Sequence, residues 1–176
     1  LGGLKGSGAL YVRDGLHLQP LIYGGNQENG LRSGTEAMPQ IAAFAAAASR
    51  RMADFKENCE KMTALREKLT VEAKKLGCQI NTPASCAPHI VNLTLPDIKS
   101  ETMLHYLSSL GIFVSSGSAC SSNGGHMSSA LTAYGKTESE ADSSIRISLS
   151  HRNTKEDIDG LVEGLKSGLA KLSRMR

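Results

Sequence analysis

Apolar positions recur with different periods in different stretches of the chain, and each change of period marks an element. Between Phe55 and Leu76 they fall at Phe55, Cys59, Met62, Leu65, Leu69, Ala73 and Leu76, steps of three and four that trace one face of an α-helix. Gly77 stops it. Upstream, Pro39 suits a first helical turn and Ile41–Ser49 is mostly alanine, so a pair of helices, or one long bent helix, is predicted over Met38–Leu76. The period then shortens. A short strand is predicted near Gln79–Asn81, and after a proline-rich turn HIVNLTL (His89–Leu95) alternates at its centre as a strand does. Ser100 is placed as the cap of a helix through Leu110 that turns Thr102, Met103, Leu107 and Leu110 inward. Gly111 ends it, and Ile112–Val114 opens a third strand.

A short helix near Ser128–Tyr134, an acidic turn TESEAD and a strand Ser144–Leu149 follow. Thr154 caps the last helix, whose one face carries Ile158, Leu161, Val162, Leu165, Leu169 and Leu172. The order after residue 77 is β-β-α-β-loop-β-α, which suits a small α+β domain with a few antiparallel strands and helices on one side. The first part reads differently. A glycine loop runs into a short strand at Ala9–Val12, closed by the turn Arg13-Asp14-Gly15, and Leu21–Tyr23 is a second short apolar run. Gly24–Glu36 (GGNQENGLRSGTE) has no periodicity and too many glycines for a helix. No internal repeat is present.

Composition narrows the function classes. Glycine accounts for 18 of 176 residues, above the usual ~7 %, and clusters in three loops, while aromatics are 4 %, so the core must be aliphatic. A net charge of +3 without a basic run argues against nucleic acid. The longest apolar run, Ile41–Ala48, is too short to span a bilayer. Cysteines at 59, 78, 86 and 120 have neither metal-ligand spacing nor the density of a disulfide framework, which makes a reducing, cytoplasmic setting the expectation.

Among residues able to do chemistry, Cys120 stands apart. Cys59 lies on a helical stripe and reads, like Cys78, as a small buried hydrophobe. The neighbours of Cys120, Ser115–Asn123, are Gly, Ser and Ala, with nothing bulky to pack the thiol, so it reads either as an incidental loop cysteine or as a reactive group. Cys86, in TPASCAP, is also expected to be exposed. Arg146 alternates with Ile145 and Ile147, and is either a solvated surface residue or a planar fork for a substrate carboxylate; Arg32 has the same two readings. Gly24–Thr35 offers backbone amides, Ser33 and Thr35 to an anion but matches no phosphate-loop motif. Lys5 reads as a solvated loop lysine, and His126 and His151 carry no assignment.

Three segments, GGNQENGLRSGTE (24–36), SSGSACSSNGG (115–125) and SSIRISLS (143–150), together resemble in order and spacing the cysteine desulfurases of the class V aminotransferase superfamily, in the subgroup with the long SSGSAC loop. The resemblance extends from LKGSGALYV to the start of the NTKEDID helix. Departures are small: Asn26 where a third glycine is frequent, Asn29 where a basic residue is common, and Ser150 where a glycine often follows the strand. The resemblance implies a pyridoxal 5'-phosphate enzyme, with linking helices and the small C-terminal domain of fold type I at 38–176 and the last strand and interface loop of the large α/β domain at 1–37. It implies that Cys120 is the nucleophile that takes sulfur from L-cysteine as a persulfide. Arg146 becomes the carboxylate grip, and Thr35 the contact to the cofactor phosphate of the neighbouring subunit of a homodimer.

It further implies that the Schiff-base lysine, in a Ser-x-His-Lys segment, falls immediately before Leu1, with Lys5 matching a second, non-catalytic lysine. The chain is therefore expected to be the C-terminal part of a longer cytoplasmic enzyme, inactive alone, that passes sulfur to an acceptor or scaffold protein for iron–sulfur clusters or thiolated cofactors. The other readings are a selenocysteine lyase or class V aminotransferase, in which Cys120 is incidental, and a non-catalytic docking or persulfide-relay module.

Overall fold

The structure, a computed structural model, describes residues 2–116 and 129–172. The chain forms two compact units, Leu1–Lys56 and Glu57–Arg176.

The first unit is loop followed by helix. Residues 9–12 form no strand, contrary to their apolar pattern: Leu10 and Tyr11 are exposed, and no described strand lies alongside to take their backbone hydrogen bonds. Ile22 makes a single parallel bridge to Arg32 across the glycine loop. Helix α1 (Met38–Ala53) carries a proline in its first turn and Arg50 and Arg51 in its last, where they complement the helix dipole. It ends at Asp54, so Met38–Leu76 is two helices, not one.

The second unit begins in helix α2 (Phe55–Lys75), whose apolar stripe buries only its C-terminal half: Leu65, Leu69 and Ala73 are in the core, Cys59 is half-buried and Phe55 exposed. Strands β1 (Gln79–Ile80), β2 (Ile90–Thr94), β3 (Ser115–Ser116) and β4 (Ser144–Ser148) form an antiparallel sheet in the order β1-β2-β4-β3. Period-two alternation gives this sheet two unlike faces. Val91, Leu93, Ile145 and Ile147 point into one core with α2, helix α3 (Ser100–Ser109) and helix α6 (Lys155–Leu172). The opposite face carries Asn92, Thr94, Ser144 and Arg146. The fold is α+β, with the core helices all on the apolar side of the sheet.

Several local expectations change. Lys99, not Ser100, holds the cap position of α3; Ser100 is its first helical residue and is buried. Met103 and Leu107 are buried in the core, whereas Thr102 and Leu110 are exposed. The third strand pairs at Ser115–Ser116 rather than at Ile112–Val114. The acidic stretch is not a turn but helix α5 (Glu138–Asp142), preceded by α4 (Ser129–Ala133): Thr137 and Glu140 form a reciprocal capping box that satisfies its first amides. Thr154 does cap α6, accepting from the Asp157 amide while Asp157 accepts from the Thr154 amide. Gly164 and Gly168 let α6 approach α3 closely, since a Cβ at Gly168 would meet Met103 Sδ at 2.7 Å and Tyr106 Cδ1 at 2.9 Å.

Candidate active site

The polar face of the sheet brings one candidate residue into a defined setting. In register, the strands align Asn92 with Arg146 and Arg146 with Ser115, and Asn81 follows β1 on the same face, its amide donating to the Asn92 carbonyl at 2.9 Å. The resulting row across the sheet is Asn81, Asn92, Arg146, Ser115. Arg146 is exposed, and its one hydrogen bond among the described residues is a long contact from Nη2 to Ser115 Oγ at 3.5 Å. No carboxylate among the described residues pairs with it. Among the described residues the guanidinium fork thus keeps donors uncommitted, and a planar fork of this kind is able to make two parallel hydrogen bonds to a carboxylate.

Beside this open end the face is tightly bonded. Asn81 Nδ2 donates to Asn92 Oδ1 at 2.7 Å and to Thr94 Oγ1 at 2.9 Å; Thr94 and Ser144 hydroxyls are 2.9 Å apart; Ser144 Oγ donates to the Glu140 carbonyl at 2.7 Å. Asn81 Oδ1 is buried without a partner. Sequence reasoning missed this network, although an Asn at the centre of a β-branched and leucine strand, where Asn is disfavoured, is the signal that could have found it.

Cys120 and His126 lie outside the described residues. Ser116, the last described residue before that segment, stands one residue after the register partner of Arg146, and Cys120 follows it by four positions in sequence. The other thiols are accounted for. Cys78 is buried, and burial pushes its pKa up to about 11. Cys86, expected to be exposed, is half-buried and accepts a hydrogen bond from Arg66 Nη1 at the edge of a groove of about 440 Å³ lined by Thr70, Lys74 and Thr82.

The first unit presents the other candidate. Its glycine loop is closed by two internal bonds, Ser33 Oγ to the Gly25 carbonyl at 3.0 Å and the Gly34 amide to Gln27 Oε1 at 3.2 Å. Gly34 sits at φ +114°, a conformation that favours glycine. Arg32 Nη1 folds back onto the Ser33 carbonyl at 2.7 Å, so this arginine braces its own loop. Thr35 is exposed, and neither its amide nor its hydroxyl has a hydrogen bond among the described residues. Among the described residues both donors are uncommitted, and each is able to donate to an anion's oxygen. Lys5 is exposed, and the His151 carbonyl accepts from Lys61 Nζ. Among the described residues no group of His, Cys, Asp and Glu is arranged to hold a metal ion, and no helix is long and apolar enough to cross a membrane.

These features meet known proteins over most of the chain. The chain is 40 % identical over 163 residues to the NifS/IcsS protein homolog of Lactobacillus delbrueckii subsp. bulgaricus, covering 91 % of this chain and 42 % of that protein. It is 38 % identical over 175 residues to cysteine desulfurase IscS 1 of Archaeoglobus fulgidus, covering 98 % of this chain and 46 % of that one. Among solved structures, a NifS-like protein superposes with a TM-score of 0.75 at 34 % identity, over 91 % of this chain and 41 % of its own. The NifS-like protein from Rickettsia africae does so with a TM-score of 0.73 at 35 % identity, over 88 % and 41 %. The chain thus spans less than half the length of the relatives it matches. Residues 1–161, which include the glycine loop, the SSGSAC segment and Arg146, match the family model described as aminotransferase class-V, and the chain belongs to that family.

Proposed function

We propose that the chain is the C-terminal part of a pyridoxal 5'-phosphate-dependent cysteine desulfurase that converts L-cysteine to L-alanine and keeps the sulfur as a persulfide. The observation that carries this reading is the exposed Arg146 fork on the polar sheet face, which pairs with no carboxylate among the described residues and stands in register with Ser115, where the SSGSAC segment begins. The relatives named cysteine desulfurase support the same reading.

In this reading residues 1–37 complete the large cofactor-binding domain and 38–176 form the small one. Thr35 fits a phosphate contact because its two donors are uncommitted, and in a homodimer that phosphate belongs to the neighbouring subunit. Bound pyridoxal phosphate supplies an electron sink that makes the substrate Cβ–S bond breakable. Arg146 holds the substrate carboxylate and fixes the direction in which the thiol points. Cys120 Sγ attacks as thiolate: a sulfur–sulfur bond forms, the Cβ–S bond breaks with its electron pair leaving on carbon, and protonation of that carbon gives alanine. The persulfide then passes to an acceptor thiol or scaffold protein for iron–sulfur cluster assembly. We place the enzyme in the cytoplasm, where thiols stay reduced.

The test is persulfide mapping after one turnover of the full-length enzyme with L-cysteine. The label is expected on Cys120 and absent from Cys120→Ser, which still binds cofactor and cysteine. A label on Cys86, or one surviving in Cys120→Ser, would overturn the assignment of the nucleophile.

A further inference from the structure

The hydroxyl and amide protons on the polar sheet face can be counted, and the count fixes which way Asn92 is turned. Ser144 has one hydroxyl proton, and the Glu140 carbonyl, which can only accept, takes it at 2.7 Å. Thr94 must then donate to Ser144 across their 2.9 Å contact. Both hydroxyl oxygens are left as acceptors, and the Asn81 amide lies 2.9 Å from Thr94 Oγ1 and a longer 3.3 Å from Ser144 Oγ, so one of its two protons serves this hydroxyl pair. Asn81 must therefore present its Nδ2 to them. The same Nδ2 lies 2.7 Å from the Asn92 side chain, so Asn92 must present Oδ1 in return. Its Nδ2 is then the atom that does not face Asn81, and on the side of Asn92 away from β1 its register partner in β4 is Arg146. Neither proton on that nitrogen is taken by a hydrogen bond among the described residues.

We infer that Asn92 is a second donor to the carboxylate that Arg146 holds, and so a specificity residue for substrates bearing an α-carboxylate. This rests on the reading of Arg146 as the carboxylate grip. A carboxylate has about four lone-pair directions, and a guanidinium fork occupies two, so a neutral amide donor in the same row completes the recognition without adding charge. The chain Glu140–Ser144–Thr94–Asn81 thereby acts as a positioning network: it holds one end of the Asn92 amide so that the other end always donates.

The test uses the full-length enzyme with L-cysteine as substrate and cysteamine, which lacks the carboxylate, as a competing ligand. Asn92→Ala is expected to raise the KM for L-cysteine about tenfold with kcat nearly unchanged, and to leave cysteamine affinity within twofold. Asn92→Asp keeps the oxygen that Asn81 bonds, which protects folding, but replaces the outward donor with a charged acceptor; its KM is expected to rise further. Arg146→Ala is measured in parallel. If it raises KM while both Asn92 variants stay at the wild-type value, the inference about Asn92 fails and the Arg146 reading stands. If Arg146→Ala leaves KM unchanged, the grip itself is misassigned and the inference falls with it. Equal losses for cysteine and cysteamine would show a structural role alone and overturn the specificity role.

Discussion

Arg146 reaches Ser115 only through a 3.5 Å contact between Nη2 and Oγ, although the two residues are register partners in adjacent strands. A hydroxyl at that distance orients a guanidinium weakly and neutralises none of its charge, so the fork stays available. Replacing it with lysine keeps the charge but not the planar pair of donors. Arg146→Lys in the complete enzyme is expected to lose tenfold or more in kcat/KM for L-cysteine, since one charge-assisted hydrogen bond is worth ~1.5–3 kcal/mol. Steady-state kinetics checks this, and an unchanged kcat/KM would return Arg146 to an ordinary surface role.

Two glycines of α6, Gly160 and Gly168, predict opposite outcomes for one substitution. A Cβ at Gly160 meets nothing within 4 Å, whereas one at Gly168 meets Met103 and Tyr106 below 3.0 Å. Gly160→Ala should therefore gain the helix-propensity difference, about 0.5–1 kcal/mol, and raise the thermal midpoint of the chain. Gly168→Ala gains the same propensity but forces α6 from α3, at an overpacking cost of about 1–3 kcal/mol. It should melt lower than the parent. Equal shifts in the two variants would show that α3 yields without cost.

How far the sequence could be read follows from how local each signal is. The stripe on α6 and the alternation of HIVNLTL depend on period alone, and both elements form where the period places them. The strand expected at Ala9–Val12 does not form, because a strand also needs a neighbour and period says nothing about one. The TESEAD stretch reads as a turn in sequence because its acidic residues conceal a capping box, Thr137 with Glu140, that stabilises a five-residue helix. The place of Arg146 on the polar face was legible from its alternation with Ile145 and Ile147, but the alternation says nothing of its role. Asn92 was not, since its role depends on which strands become neighbours, and a proton count across β1, β2, β4 and α5 is invisible in one dimension.

Acid should expose the two caps. Glu140 is held below the usual carboxylate range first by the Thr137 backbone amide, then by the Thr137 hydroxyl and Lys136. Asp157 is lowered first by the Thr154 amide and then by Asn153. A carboxyl whose folded pKa is depressed stabilises fully above its unfolded value and loses that contribution as pH falls through the folded one. Acid unfolding of the chain should therefore steepen below the ordinary carboxylate pKa. Glu140→Gln and Asp157→Asn should each be less stable than the parent near neutrality and show a shallower loss on acidification. Parallel pH–stability curves for parent and variants would show that these caps do not couple to folding.

The cysteines should separate by rate of alkylation, and burial rather than sequence context sets the order. Cys78 is 5 % exposed with a pKa pushed up to about 11, so at pH 8 it carries roughly a hundredfold less thiolate than a thiol at the ordinary 9.0. Access through the core would slow it further. Cys59 and Cys86 are only half-buried, and neither is sealed from reagent. With iodoacetamide at pH 8 the folded chain should be labelled at Cys59 and Cys86 well before Cys78, and Cys78 should react only at the rate at which the core opens. Cys120, whose sequence neighbours are Ala, Ser and Gly, is expected to react before Cys59. Peptide mapping against time gives all four rates in one experiment. If Cys120 reacts more slowly than Cys59, its thiol is shielded, and the SSGSAC segment does not present it to incoming molecules.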